Sequence, residues 1–353
     1  MKSRVVGIII LAAVVLIASG IYLYKEKMNS AVVVKGLVGG EKTGFLDDDA
    51  VKKILKNKYG LVLDYSKAGS IEMVQDDKNS DFIFPSSQVA LDLYKETKGK
   101  NIVKSESVLN SPLVIYSWDI VTDALIKQQI VQKTQESYYI VDFPKLVELI
   151  LQNKKWSDIG LNELYGNITV STTDPTKSNS GNMFSGLLSI VLNGGMVDET
   201  TVSAVLPKVK SIFQKSGYME SSSGDLFEQY LKTGPGAKPM MVGYENQIIE
   251  FASQNPEVWK TLKDKVRILY PVPTVWSAHP VIALNQKSVG LIDALKDEDV
   301  QNIAWEKHGF RTGVAGVFND TKIYGIVGIP ESITQVTSMP TPKVMEMIIQ
   351  ALQ

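Results

Sequence analysis

A run of short polar residues, Ser178, Asn179 and Ser180, stands between a predicted strand and a predicted apolar helix. The first backbone N–H groups of a helix have no partner within it, so with nearby hydroxyls they can hold an anion, a carboxylate or another polar ligand oxygen. Serine and asparagine are also the residues that most often cap any helix. The loop therefore indicates either a ligand contact or an ordinary helix cap.

Two further serine-bearing turns come directly after predicted strands in the first part of the chain. Ser70 follows the strand predicted at Leu61–Tyr65, and Ser86 with Ser87 follows the strand predicted at Asp81–Phe84. Open α/β sheets bind ligands outside the carboxyl ends of their strands. These three serines are therefore predicted ligand contacts.

The segment Gly36–Thr43 comes close to the phosphate-binding pattern G-x-x-x-x-G-K-[ST]. Lys42 and Thr43 fit that pattern, but Glu41 stands where the second glycine is required, and its carboxylate would face the phosphates. A nucleotide-binding enzyme that uses this deviant loop is the alternative function. We favour a ligand-binding role for Glu41 and Lys42 over nucleotide binding. An ordinary solvent-exposed turn is an equally open interpretation of this segment.

Tyr244 and Glu245 directly follow the buried strand predicted at Met240–Tyr244. At the end of this strand, Tyr244 as its last residue and Glu245 as the next can offer a phenol and a carboxylate to a ligand, and they can equally begin a helix whose N-terminus favours negative charge. Both residues are therefore secondary candidates for the site.

Composition excludes several kinds of chemistry. The chain has no cysteine, which excludes disulfides, thiolate catalysis and cysteine-ligated metals. It has two histidines, and we expect His279 to be structural and His308 to lie at a helix C-terminus. A net charge of −1 provides no basic field that could hold a nucleic acid. We expect no catalytic residue, no metal, no cofactor and no nucleic-acid partner.

The N-terminus carries a segment that could enter a membrane. After Lys2 and Arg4, residues 5–24 are uncharged, and at 1.5 Å per residue such a helix covers the roughly 30 Å hydrocarbon core of a bilayer. The small residues Ala18–Gly20 also fit the cleavage site of a signal peptide. We expect a single-pass cell-membrane anchor with an extracytoplasmic domain, or a secreted protein if this signal is cleaved.

From residue 31 onward, apolar segments alternate with helical patterns, which predicts an α/β sheet with helices on its faces. Strands are predicted at Ala31–Val34 and Ile168–Ser171. Changes of pattern near Trp118–Thr122 and Ile268–Pro271 predict two crossings between two lobes. Helices are predicted, among other places, at Asp47–Tyr59, Phe143–Leu151, Met183–Val191 and Lys343–Leu352.

Several of these segments, in their order and spacing, resemble the bacterial extracellular solute-binding proteins of the type II periplasmic-binding fold, the substrate-binding proteins of ABC transporters. The resemblance extends over nearly everything after residue 31. The segments that carry it are Gly39–Lys42, Ala68–Ser70, Thr176–Ser180, Tyr244–Gln247, Tyr270–Val275 and His308–Arg311.

The resemblance implies a signal or anchor at residues 1–30, a first lobe formed by residues 31–117 and 268–353, and a second lobe formed by residues 118–267. A small ligand would close the cleft between the lobes, and an ABC permease or a membrane sensor would be the partner. From the serine turns we expect an oxyanion or a carboxylate-bearing solute. A membrane-tethered interaction module with a vestigial cleft is the remaining alternative.

Overall fold

The computed structural model describes residues 14–17, 19, 31–135, 137–313 and 318–353. The anchor predicted at residues 5–24 lies for the most part outside these ranges, so it stays a prediction. Within the described ranges, no helix is both long enough and apolar enough to cross a bilayer.

The described strands form one connected sheet in the order β2-β1-β3-β9-β4-β8-β6-β5, with β7 also paired to β4. They are β1 (Val32–Val38), β2 (Leu61–Lys67), β3 (Phe82–Phe84), β4 (Lys104–Trp118), β5 (Val131–Lys133), β6 (Tyr138–Ile140), β7 (Met240–Tyr244), β8 (Val266–Pro271) and β9 (Trp276–Ala283). Strands β1, β2 and β3 are parallel, so their carboxyl ends meet at one edge of the sheet.

Helices cover the faces of this sheet. They are α1 (Thr43–Asp47), α2 (Asp49–Tyr59), α3 (Ser70–Gln75), α4 (Gln88–Lys98), α5 (Asp119–Lys127), α6 (Phe143–Leu151), α7 (Asn179–Asn193), α8 (Val202–Lys215), α9 (Ser223–Thr233), α10 (Glu245–Gln254), α11 (Pro256–Leu262), α12 (Val289–Leu295), α13 (Glu298–Glu306) and α14 (Pro342–Leu352).

Strand β4 is shared by the two halves of the sheet. Its first part, Lys104–Pro112, pairs with β9, and its second part, Leu113–Trp118, pairs with β7 and β8. The chain therefore passes from one half to the other inside β4, and it returns in the segment that joins β8 to β9. The predicted crossings lie within a few residues of these two places, and the exact lobe boundaries stay a prediction.

Two apolar cores lie on either side of this shared strand. One contains β1, β3 and β9 with helices α2, α12 and α13, and the other contains the second part of β4, β7 and β8 with helices α5 to α10. The last helix, α14, packs on α7 and α8, and its Met345 and Ile348 share a small apolar cluster with Val89 of α4. Helix α14 thus contacts elements from both parts of the chain.

Local sequence explains where the elements next to the sheet edge begin and end. The Asp48 carboxylate accepts the backbone N–H of Ala50 at 2.8 Å and so caps α2, and Gly60 ends that helix with a φ of 64°, which favours glycine. The Ser87 hydroxyl accepts the N–H of Ala90 at 3.2 Å and starts α4 in the same way. These caps determine where the two helices begin.

Two predicted elements are wrong. Strand β1 continues through Gly36 to Val38, so the loop predicted to start at Gly36 begins only after the strand. The strand predicted at Ile168–Ser171 is extended but has only one bridge, from Ser171 to Met241 of β7. Strand β9, which carries His279, was not predicted. The bounds predicted for α6 and β7 are confirmed.

We predict that Gly36→Ala destabilises the sheet. A Cβ atom at Gly36 would lie 2.4 Å from the Phe82 ring in the neighbouring strand β3, so the ring or the strand must move. We expect the free energy of unfolding, measured by urea denaturation, to fall by about 1–3 kcal/mol. Gly99→Ala is the matched control, because a Cβ there meets nothing within 4 Å. Equal stability of the two variants would contradict this close packing.

Candidate ligand-binding cleft

The carboxyl ends of β1, β2 and β3 open onto a cavity of about 460 Å³. The turns after these strands line one side of the cavity, and the starts of α7 and α9 with the end of β7 line the other. Predicted site residues in its wall are Glu41, Ser70, Ser86, Ser178, Asn179 and Tyr244. The structure therefore brings together residues from all the serine-bearing turns that the sequence singled out.

The other four predicted site residues lie behind this wall. Lys42 is completely buried beneath the cavity, and Ser87 caps α4. Ser180 is also completely buried, with its hydroxyl 2.7 Å from the hydroxyl of Thr173. Glu245 forms a buried ion pair with Arg311. Ligand contacts by these four residues stay predictions, and their observed partners are all protein groups.

A buried polar cluster supports the floor of the cavity. The Lys42 ammonium donates to the Glu41 carboxylate, to the Ser86 hydroxyl at 2.8 Å and to Nδ1 of His279 at 3.2 Å. An ammonium group has three N–H donors, so all of them are used. The Lys42 charge is thereby fully paired although no part of its side chain reaches solvent.

Hydrogen bonds determine the tautomer of His279. The Ser277 hydroxyl donates its only proton to the carbonyl oxygen of Ser86 at 2.5 Å, so at its 3.3 Å contact with Nε2 of His279 it must accept. Nε2 therefore carries the proton, and the Nδ1 lone pair accepts from Lys42. Burial and the Lys42 charge lower the pKa of His279 to about 4, which agrees with a neutral ring.

Glu41 supplies the negative charge of this cluster. Burial opposes its ionisation, but the Lys42 ammonium holds the pKa of Glu41 well below its ordinary range. The Ser86 hydroxyl donates to the same carboxylate. Lys42 donates to the Ser86 hydroxyl and has no free lone pair, so it cannot accept the proton of that hydroxyl. The contact with Lys42 therefore does not activate Ser86 as a nucleophile.

Backbone donors from two helices face the cavity. At the start of α7, the N–H group of Asn179, which lines the cavity, has no hydrogen-bond partner among the described residues, while that of Gly181 donates to the Thr173 hydroxyl at 2.8 Å. At the start of α9, the N–H group of Ser223, in the same wall, is likewise unpaired within the described part of the chain. Two helix N-termini thus present unpaired donors and positive partial charge to one space.

Asn179 joins the two sides of the cavity. Its Nδ2 donates to the carbonyl oxygen of Ser86 at 2.9 Å and to the hydroxyl of Tyr244 at 2.9 Å. Next to it, the chain passes so closely that a Cβ atom at Gly69 would lie 2.5 Å from the carbonyl oxygen of Lys177. The two sides are therefore in direct contact around the cavity.

Several residues at this site were missed or undervalued by sequence reasoning. His279 was expected to be structural, and it lies in the cluster beneath the cavity. The segment Ser221–Ser223 also lines the cavity, and Ser222 caps α9. Its three consecutive serines before a helix were the available signal, since the same pattern had marked α7.

The deviant phosphate loop has no free lysine. Gly36 lies inside β1, the Thr43 hydroxyl donates to the carbonyl oxygen of Gly40 at 2.9 Å, and Lys42 is engaged in the buried cluster. A phosphate-binding loop needs its lysine at the phosphates and its backbone open to them. The nucleotide-binding alternative is therefore not favoured.

No protein-family model matches the chain, and no curated protein sequence is similar to it. Solved structures are similar in fold. The ferric binding protein from Campylobacter jejuni matches with a TM-score of 0.59 and 12% identity, over 90% of this chain and 97% of that one. The substrate binding protein of the ABC transporter from Agrobacterium tumefaciens matches with a TM-score of 0.54 and 13% identity, over 92% of this chain and 95% of that one.

The sulfate-binding protein from Mycobacterium tuberculosis matches with a TM-score of 0.51 and 12% identity, over 89% of this chain and 96% of that one. At such identities the likeness shows the fold alone. It confirms the fold that the sequence resemblance predicted, the two-lobed type II periplasmic-binding fold.

Among the described residues, no group of three or more histidine, aspartate or glutamate side chains is placed to hold a metal ion.

We predict that His279 makes the protein sensitive to acid. Its pKa falls from the ordinary 6.5 to about 4 on folding, so below pH 6.5 the unfolded state takes up a proton that the folded state refuses. Above pH 6.5 this contribution to stability is complete. As the pH falls from 6.5 to about 4, the contribution is lost by about 1.4 kcal/mol per pH unit, which is about 3 kcal/mol in all.

Urea denaturation at a series of pH values measures this slope. We expect His279→Gln to have a smaller slope than the wild type between pH 6.5 and 4, because glutamine does not titrate. The matched variant His308→Gln removes the other histidine and should keep the part of the slope that His279 supplies. Identical slopes for His279→Gln and the wild type would show that the buried ring is not held neutral.

Proposed function

We propose that this protein is an extracytoplasmic solute-binding protein that captures a small oxyanion or carboxylate-bearing solute between two lobes. The observation that carries the proposal is the convergence of unpaired helix N–H groups and serine turns on one cavity. The fold likeness to substrate-binding proteins supports it. Delivery to an ABC permease or to a membrane sensor would be the physiological step.

The cavity offers donors that are not already used within the protein. The Ser70 hydroxyl accepts the backbone N–H of Ser86 at 2.9 Å, which leaves its own proton available to a ligand. The Ser178 side chain lines the cavity and makes no capping hydrogen bond to α7; its hydroxyl lies 3.3 Å from the hydroxyl of Ser180, and either of the two can donate to the other. Neutral hydroxyl and backbone donors of this kind select an oxyanion by geometry and dehydration.

Lobe closure fits the arrangement of the chain. In our proposal, residues 31–117 and 268–353 form one lobe, and residues 118–267 form the other. The hinge would be the middle of β4 and the segment between β8 and β9, where the strand partners change. A ligand that contacts both sides stabilises the closed state, because those contacts exist only there.

Binding without chemical change is the activity that the cluster favours. The hydroxyl of Ser86 is held between a cation and a carboxylate, the Lys42 ammonium has no lone pair, and the neutral His279 lies beneath the wall with no exposed surface. None of these groups is placed as a free base or nucleophile toward the cavity. The proposal is therefore a receptor and not an enzyme.

We predict that the described domain lies outside the cytoplasm. Residues 5–24 are expected to anchor the chain or to act as a cleaved signal. Trypsin added to intact spheroplasts that express the full chain should therefore degrade the domain, while a cytoplasmic marker stays intact. Protection of the domain until the membrane is lysed would contradict this location.

We predict that Ser178→Asp abolishes binding of anions. Aspartate is a favoured N-cap residue, so α7 should remain stable, but its charge would stand at the cavity wall and repel an anionic ligand. Thermal-shift assays with sulfate, phosphate and carboxylic acids measure this. A ligand at a hundredfold excess over its Kd should stabilise the wild type by about 2.7 kcal/mol and the variant not at all.

Thr341→Asp is the matched control, because Thr341 caps the remote helix α14 at an exposed position. It should keep the full ligand-induced shift. The proposed ligand class is wrong if only neutral sugars or simple cations stabilise the wild type. Normal anion binding by Ser178→Asp would contradict the placement of the anion at the start of α7.

A further inference from the structure

We propose that the solute bound in this cleft is an amine-bearing acid, in which an N–H-donating cationic amine accompanies the acidic group. This inference rests on the proposed function, because it concerns the same cavity. Two features of the wall carry it. The side-chain oxygen of Asn179 accepts no hydrogen bond from the described residues, and the Glu41 carboxylate lines the wall while its partner, the Lys42 ammonium, lies behind it. Both are acceptors, whereas the helix starts are donors.

The amide of Asn179 is only 8% exposed, and its Oδ1 is buried without a hydrogen-bond partner among the described residues. The orientation of the amide follows from its neighbour, because exchanging Oδ1 and Nδ2 would place Oδ1 against the carbonyl oxygen of Ser86, which is also an acceptor. Buried polar atoms in native proteins almost always have partners. No described protein group supplies the donor that Oδ1 lacks, and in the proposal a ligand N–H from the adjoining cavity supplies it.

Glu41 gives the same side of the cavity its negative charge. Its side chain keeps 9% exposure and lines the cavity, whereas the Lys42 side chain is completely buried and spends all three N–H groups within the cluster. A ligand in the cavity therefore meets the carboxylate before it meets the ammonium. Glu72, with 59% of its side chain exposed, adds a second carboxylate to the wall.

Two lysines, Lys67 and Lys177, also line the wall. Lys177 forms an ion pair with Asp174 at 3.3 Å, and 66% of its side chain faces solvent. A ligand that is only anionic would be attracted by the helix starts and repelled by Glu41. If the same ligand carries an ammonium group, Glu41 attracts that group. Its N–H groups can donate hydrogen bonds to Glu41 and to the side-chain oxygen of Asn179.

Isothermal titration calorimetry on the full chain tests the inference. The probes are the common amino acids, the des-amino carboxylic acid of each one that binds, its N-trimethylated derivative, and sulfate and phosphate. We expect at least one amino acid to bind at least tenfold more tightly than its des-amino acid, because only the former carries the amine. The trimethylated derivative keeps the charge but has no N–H donor, and it should also bind at least tenfold more weakly.

Glu41→Gln should reduce the preference for the amino acid over its des-amino acid about tenfold, and circular dichroism with thermal unfolding checks that this variant folds. Glu257→Gln is the matched control, because it changes an exposed carboxylate that does not line this cavity. It should keep the preference. The comparison of probes on the wild type stands on its own if Glu41→Gln fails to fold.

The outcomes separate the two proposals. If sulfate, phosphate or des-amino acids bind as tightly as any amino acid, the amine-bearing ligand is overturned while the anion-binding function stands. Equal binding of an amino acid and its trimethylated derivative overturns the donor role of the amine. If none of the acids binds, the proposed function fails, and this inference fails with it.

Discussion

The completely buried ammonium of Lys42 is the constraint on which the floor of the cleft depends. Removing such a charge from water costs several kcal/mol unless every N–H group finds a well-placed partner. Its partners are Glu41 in the turn after β1, Ser86 after β3 and His279 in β9. These three strands are consecutive neighbours in the sheet, so the register of β1, β3 and β9 must be kept for the charge to stay paired.

Ser86 transmits that constraint to the other side of the cavity. Its hydroxyl belongs to the Lys42 cluster, its N–H donates to Ser70, and its carbonyl oxygen accepts from both Ser277 and Asn179. The start of α7 is therefore held against the turn after β3 by one short side chain. In the proposed receptor, these few polar contacts across the cavity would be exchanged for ligand contacts as the lobes move.

The convergence of Ser70, Ser86 and Asn179 could be predicted, because it follows from a rule that needs only the order of strands and turns. The role of His279 could not, since its contact with Lys42 joins residues 237 positions apart and leaves no periodic signal. Propensity also failed at Ile168–Ser171, where the chain is extended but finds almost no strand partner. Local patterns thus located the walls of the cleft, and tertiary pairing determined what lies beneath them.

A second buried charge pair acts near the crossings. Glu245 begins α10 directly after Tyr244 of the cavity wall, and its two carboxylate oxygens accept from Arg311 at 2.6 and 3.0 Å and from the Tyr270 hydroxyl of β8 at 2.6 Å. The guanidinium group also donates to two backbone carbonyl oxygens, so the pair is well satisfied. Burying such a pair adds little net stability, but it accepts only one geometry. Its effect is therefore positional: it ties the end of β7, and with it Tyr244, to β8, the strand that leads back across the sheet.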